Sequence, residues 1–310
     1  MITALIVPLL MPLATPVLVR LVESRQRPAA AMWALTATAC VLAAGWIAAL
    51  GGLLLTGMLT VSPLARLGHL IHPLNVAPAP VAYPAAALAV GTLLICVCAV
   101  ARTALRQLHQ YRTAHAQLRN ASSVGDLSVL DTPEPDAYAL PGSPGRIVVT
   151  SGMLRTLDGL EREALLAHER AHLAGRHHYF LVIGDLASRC HPAMRSLRDA
   201  IALAVERVAD EAAATAVGNR HLTARAIGRA ALAKSTGGPI RPSFAAGAAG
   251  GPVPQRVKAL LQPVATPRRL AVAAAGLLLA CSAATGGGAA AGLVSLHHIV
   301  EIAQGEVPGG

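Results

Sequence analysis

Aromatic residues make up only 3% of this 310-residue chain. A nucleic-acid-binding surface would interleave basic residues with aromatics on which bases stack. Here the arginines flank apolar runs or scatter through the middle of the chain, so direct nucleic-acid binding is not expected. Acidic residues are also few, 16 against 26 Lys and Arg, for a net charge of +10. The five cysteines, Cys40, Cys96, Cys98, Cys190 and Cys281, form no CxxC pair. That excludes a zinc ribbon and gives no support to a disulfide framework. Four of them lie in apolar runs, where a thiol behaves as a small hydrophobe, and Cys190 reads as structural. Any metal must therefore be held by histidines and carboxylates. No basic segment precedes the first apolar run, which argues for a retained span rather than a cleaved signal peptide. No internal repeat is evident.

What the chain has in quantity is apolar surface: 54% hydrophobic residues and a mean hydropathy of +0.53, concentrated in a few long runs. A transmembrane helix needs about 20 predominantly apolar residues. Four stretches qualify: residues 2–19, carrying Pro8, Pro12 and Pro16; 31–57, with Trp33 near one end; 82–101; and 270–293, with the small residues of "TGGGAAAG". The loop after the first holds Arg20, Arg25 and Arg27, whereas the next loop, 58–81, holds only Arg66. Arg102, Arg106, Arg112 and Arg119 follow the third stretch, Arg268 and Arg269 precede the fourth, and the tail 294–310 has no Lys or Arg. By the positive-inside rule, residues 102–269 are expected in the cytoplasm and both termini outside. The expected whole is a mainly helical multi-pass protein of the inner (plasma) membrane: three transmembrane helices over 1–101, a cytoplasmic α+β domain, a fourth helix and a short extracytoplasmic tail.

The central block opens with a polar helical stretch over 102–119. Residues 127–130 and 146–150 favour β structure and are separated by Pro, Gly and Asp turn signals, which predicts a small sheet or hairpin. From Asp158 the pattern turns helical, and Asp158 with Glu161 forms a capping-box signature. Helices are expected over 159–175, 178–190, 194–217 and 221–235, with a Gly/Pro/Ala-rich loop over 236–254.

Within the first of these helices lies "LLAHERAHLAGRHH", residues 165–178. Residues four apart on a helix share a face, so His168 and His172 can direct their imidazoles at one metal ion while Glu169 reaches an activated water. The plain alternative is a helix surface with chance histidines. Ala164, Leu165, Leu166, Ala167, Ala171 and Leu173 make the helix read as buried, and burying two histidines and a glutamate without partners is costly. A bound Zn²⁺ removes that cost, but it needs a third protein ligand. Glu206 in "LAVERVADEAAATAV" would serve, on a helix whose alanines permit close approach; the alternative is a solvated carboxylate. Asp210, one turn on, could orient a ligand histidine from behind.

HExxH followed by ExxxD, here "HERAH" and "ERVAD", resembles the signature of gluzincin-type membrane peptidases. With "PEPDAYALPG", "GRIVVTSGML" and "RVKALL" (256–261), and with three spans before the motif and one after, the chain is similar to the BlaR/MecR-type antirepressor peptidases. The resemblance implies one zinc ion per chain held by His168, His172 and Glu206, with Glu169 as catalytic base. It also implies that the strand at Ile147, Val148 and Val149 pairs with an extended substrate, and that the substrate is a cytoplasmic BlaI-type winged-helix repressor. One departure stands out. No S-x-x-K acylation motif is present, and residues 294–310 leave no room for a penicillin-binding sensor domain, so covalent β-lactam sensing by this chain is not expected.

Other residues carry weaker signals. Arg176, His177 and His178 read as a solvated helix end, with a substrate contact as the less favoured alternative, and Tyr138 and Tyr179 as packing residues rather than oxyanion donors. His69 and His72 lie in an outer loop, and His297 and His298 at the membrane surface. Two further functions compete with the antirepressor reading: an HtpX-like quality-control peptidase and a non-catalytic zinc-containing scaffold. The intact Glu169 argues against the scaffold.

Overall fold

A computed structural model of the chain describes residues 2–23, 27–60, 78–118, 122–234, 252–262 and 269–304. The expected loop over 236–254 falls almost wholly outside them, as do Arg25, Arg66, His69, His72, Arg119, Arg268 and the last six residues of the tail.

The N-terminal apolar stretch is not one helix. α1 (Ile2–Leu10) and α2 (Thr15–Glu23) are separated by a tight 3₁₀ turn over Met11–Ala14. Proline lacks the N–H that would continue an α-helical ladder, and the Thr15 hydroxyl bonds the Pro12 carbonyl at 2.8 Å. Three helices are long and apolar enough to cross a membrane: α3 (Pro28–Leu59), α4 (Ala79–Gln117) and α11 (Arg269–Ala303). The stretch 82–101 and the polar helix after it are thus one continuous element, because no Gly or Pro interrupts the pattern between Ala101 and Gln117. Small residues let these helices approach closely. A Cβ added at Gly57 of α3 would stand 2.2 Å from the Ala86 Cβ of α4, and one at Gly45 would stand 2.5 Å from Thr285 Cγ2 of α11.

Between α4 and α11 lies a mixed four-stranded sheet of order β1-β2-β4-β3: β1 (Ser122–Val124), β2 (Leu127–Leu130), β3 (Ala137–Leu140) and β4 (Arg146–Thr150). β2 and β4 lie where the sequence places strands. β1 and β3 were not expected. β4 pairs with β2 in parallel and with β3 antiparallel, so it is an interior strand, and Ile147, Val148 and Val149 are fully buried. The expectation that they pair with a substrate is therefore corrected: both of their backbone edges are already bonded. Side chains alternate across the sheet. Tyr138, Leu140 and Val148 pack on Ala114 and Leu118 at the C-terminal end of α4, while Ala137 and Val149 face the helices that follow.

Those helices are α5 (Ser151–Thr156), α6 (Gly159–Ala174), α7 (His177–Cys190), α8 (Arg195–Ala216), α9 (Arg220–Lys234) and α10 (Val253–Leu261). α6 begins at a full capping box: the Glu161 amide donates to Asp158 Oδ1 at 2.9 Å and the Asp158 amide to Glu161 Oε2 at 3.0 Å. The Glu161 carboxylate also takes Arg225 and Arg229 from α9, tying the start of α6 to that helix. α7 and α8 form a hairpin whose apolar side packs on the first half of α3. Phe180, Ala187, Met194, Leu197, Ile201 and Val205 share one core with Met32, Leu35, Ala39 and Leu42. Fully burying side chains of this size contributes roughly 1.5–3 kcal/mol each, so the hairpin is welded to the apolar bundle. At its tip the Cys96 thiol of α4 bonds the Cys190 carbonyl at 3.2 Å, and the Thr15 hydroxyl bonds the Ala193 carbonyl at 2.8 Å.

Candidate active site

α6 and α8 cross where alanines line the contact, and Ala209 and Ala213 are fully buried there. This close approach brings His168 and His172, one turn apart on α6, opposite Glu206 on α8. The two Nε2 atoms are 2.9 Å apart. Glu206 Oε2 lies 3.5 Å from His168 Nε2, and Glu206 Oε1 lies 3.8 Å from His172 Nε2. All three residues are buried, and one ligand atom from each falls within 4.8 Å of the others. Glu169 is fully buried beside them, and its charge is felt by both His168 and Arg256.

Behind this group stands a second layer. Asp210, one turn after Glu206, places Oδ1 3.0 Å from His168 Nδ1. Arg256 of α10 reaches in, fully buried. Its Nε and a terminal nitrogen donate to the two Asp210 oxygens at 2.8 and 2.6 Å, and the other terminal nitrogen sits 2.9 Å from Glu206 Oε2. His177, the first residue of α7, has its Nδ1 2.8 Å from His172 Nδ1. It is buried, contrary to the solvated helix end expected. Neither Arg256 nor His177 was singled out as functional from the sequence, although both sit in stretches quoted there, "RVKALL" and "HLAGRHH".

The electrostatics follow from burial and these partners. Burial opposes charge on His168, but the Asp210 and Glu206 carboxylates outweigh it and push the imidazole up to about 9. Burial holds His172 well below the usual histidine value and His177 down at about 4. Burial would raise Glu206, yet Arg256 and the two histidines hold it well below the carboxylate range, and Arg256 with His168 does the same for Asp210. Three buried carboxylates, Glu169, Glu206 and Asp210, thus face one buried guanidinium. Two imidazoles converging with a carboxylate, in a pocket where carboxylates outnumber the guanidinium, make the donor set of a catalytic zinc site.

Arg170 points away, paired with Asp126 at 2.9 Å. Tyr138 is a core residue whose phenol burial pushes up to about 12, and Tyr179 is exposed. His297 and His298 lie on α11 near Glu301, at 3.1 and 3.7 Å.

Next to His172 the sheet presents its free edge. The Thr150 amide donates to the Asp136 carbonyl at 3.0 Å. Antiparallel ladders alternate, so Tyr138 and Leu140 exchange bonds with β4 while the backbone of Ala139, itself 5% exposed, turns to the side where no described strand pairs with β3. Ala139, Pro141, His172 and His178 line one small cleft. This cleft adjoins a groove of about 1030 Å³ between the C-terminal half of α4, the β3–β4 loop and α7, with Leu108, Tyr111, Ser143, Arg176 and Tyr179 in its walls.

The family model for peptidase family M48 matches residues 103–264, just over half of the chain. The chain belongs to peptidase family M48. No curated protein and no solved structure matches it. The family assignment makes the chain a metallopeptidase of a kind that is zinc-dependent as a rule, and the buried His168, His172 and Glu206 group is where this M48 peptidase can hold the ion. Zinc there supplies Lewis acidity to the scissile carbonyl and to the attacking water. The chain's own residues do the rest. His168 and His172 would hold the ion through Nε2, with Asp210 behind the first and His177 behind the second. Glu169, fully buried beside them, is placed where it would take a proton from an attacking water and return it to the leaving nitrogen.

Proposed function

We propose that this M48 peptidase is a zinc endopeptidase of the plasma membrane that cleaves a cytoplasmic BlaI-type winged-helix repressor and so switches transcription. The observation that carries the reading is the outer backbone edge of β3 at Ala139, which no described strand pairs and which lies next to His172 at one end of a groove along the cytoplasmic half of α4. An extended chain laid there adds a strand to β3 by β-augmentation, so the substrate must offer a flexible segment. A repressor's linker between its DNA-binding and dimerisation parts meets that need, and one cut there abolishes dimeric binding to DNA. The order of apolar helices and the motifs shared with BlaR/MecR-type peptidases support the same reading. The test compares cells carrying wild-type protein with cells carrying Glu169→Gln. We expect a few defined cleavage products and derepression of a small gene set, both absent in the variant. Broad turnover of misfolded membrane proteins with unchanged transcription would replace this reading with membrane-protein quality control.

The proposed orientation puts residues 102–269 in the cytoplasm and both termini, with the N-terminal stretch 2–19 as a further span, outside. It is checked by single cysteines at Val124, which is 82% exposed, and at Ile302, 55% exposed, in a background without the five native ones. Membrane-impermeant reagent added to intact cells should label position 302 and spare position 124. Labelling of both from one side would overturn the orientation.

A further inference from the structure

His177 lies five residues past the second ligand histidine, beyond the end of α6, yet its ring returns beneath that ligand. Two local features bring it back. Arg176 adopts a left-handed backbone, φ 49° and ψ 41°, which reverses the chain between α6 and α7. Gly175 supplies the space: a Cβ there would stand 2.3 Å from His177 Nε2. A non-glycine residue at positive φ is uncommon and strained. That strain is maintained beside a ring only 2% exposed, backed by Phe180 with ring centroids 6.5 Å apart.

We infer that His177 is the positioning residue of His172, fixing its tautomer and ring orientation through the Nδ1–Nδ1 hydrogen bond. The inference rests on the zinc-site reading above. Nε2 of His172 faces His168 and Glu206 and must offer a lone pair, so its proton resides on Nδ1. The only role left to His177 Nδ1, at 2.8 Å, is to accept that proton's hydrogen bond. Its own proton then sits on Nε2, against Gly175. The rings of His172 and His177 stand nearly perpendicular, at 82°, with centroids 4.9 Å apart. The two ligand histidines are thus held by different means: His168 by the carboxylate of Asp210, His172 by a neutral imidazole. The carboxylate raises its ligand's basicity, while His177 contributes orientation.

The test uses the full-length protein in detergent. His177→Phe keeps a ring of similar size and removes the acceptor, His177→Asn restores an oxygen near the Nδ1 position, and Gly175→Ala pushes the ring without removing a nitrogen. Zinc affinity is measured by competition with a chromophoric chelator, and the ligand field by the visible absorption of the Co²⁺-substituted protein. We expect His177→Phe to bind zinc about 10–100-fold more weakly, with an altered Co²⁺ spectrum. His177→Asn should recover most of both. Gly175→Ala should weaken zinc binding and shift the spectrum in the same direction as His177→Phe. Wild-type affinity and spectrum in His177→Phe would overturn the inference by showing that the ring only fills space. Equal losses in the Phe and Asn variants, with matching losses of thermal stability, would overturn it too. A wild-type protein that takes up no zinc would instead overturn the metal site itself.

Discussion

Glu169→Gln should retain zinc and lose turnover by a factor on the order of 10²–10⁴, the range a positioned general base contributes. Glutamine keeps the size of the side chain and its place on α6 but cannot accept a proton from water. Glu169 is not among the three residues whose ligand atoms converge, so metal content should stay at the wild-type value. Glu206→Ala should do the reverse: it removes a ligand and leaves His168 and His172 without their shared carboxylate, so zinc is lost along with activity. Metal analysis and turnover of an unstructured peptide, measured on the same preparations, separate the two. Comparable zinc loss in both variants, each correctly folded, would show that ligand and base have been assigned wrongly.

The second large effect is expected at Arg256. Removing one partner from a buried, hydrogen-bonded charge pair costs about 3–5 kcal/mol, because the remaining charge is stranded without solvent. Arg256→Met strands two, Glu206 and Asp210. The loss should be greatest in zinc-stripped protein, since a bound divalent cation replaces part of the missing positive charge. The pH dependence has a definite sign. Arg256 and the histidines overcome burial to hold both carboxylates below their ordinary values, so their contribution is complete above the unfolded value of about 4 and fades as pH falls through the lower folded values. Without Arg256, burial dominates and the folded values rise, so acid lability should begin at a higher pH. Thermal melts in detergent with and without chelator, across pH 4–8 (a range set by roughly the carboxylate and histidine values), provide the measurement. Coincident melting of Arg256→Met and wild type without metal would refute the stranded-charge account.

What the sequence disclosed and what it hid divide along the range of the interactions. The ligand helix was legible because its information is local: Asp158 and Glu161 mark its start, and His168 and His172 share a face by spacing alone. Glu206 and Asp210 were legible because their own helix carries the small residues that a close crossing requires. β3 was hidden because all four of its residues are buried and Pro135 and Pro141 bracket it. It lacks the apolar–polar alternation that marks a half-exposed strand, and "AYAL" between prolines reads as loop. Which strand forms the edge of a sheet is a long-range fact that no periodicity encodes, and so β4 was mistaken for an edge. Arg256 was hidden for a related reason. An arginine in a basic chain reads as solvated, and only the folded arrangement brings it 46 positions back to Asp210. His177 was misread because the helix pattern ends at Gly175 and nothing in the sequence announces a left-handed backbone at Arg176.

The continuity of α4 has a mechanical consequence. At 39 residues it is about 58 Å long, well beyond the roughly 30 Å of a hydrocarbon core. Its outer half carries Leu88, Leu94, Ile95 and Val97 exposed on its surface, while its inner half forms one wall of the groove beside His172. The sixteen residues past Ala101 make a lever of about 24 Å. A change in bilayer thickness tilts a long helix, and about 5° of tilt carries the far end of such a lever by about 2 Å. That distance is a sizeable fraction of the 4.7–4.9 Å that separates neighbouring strands, so a tilt of that size in α4 would shift one wall of the groove by enough to matter to a strand lying in it.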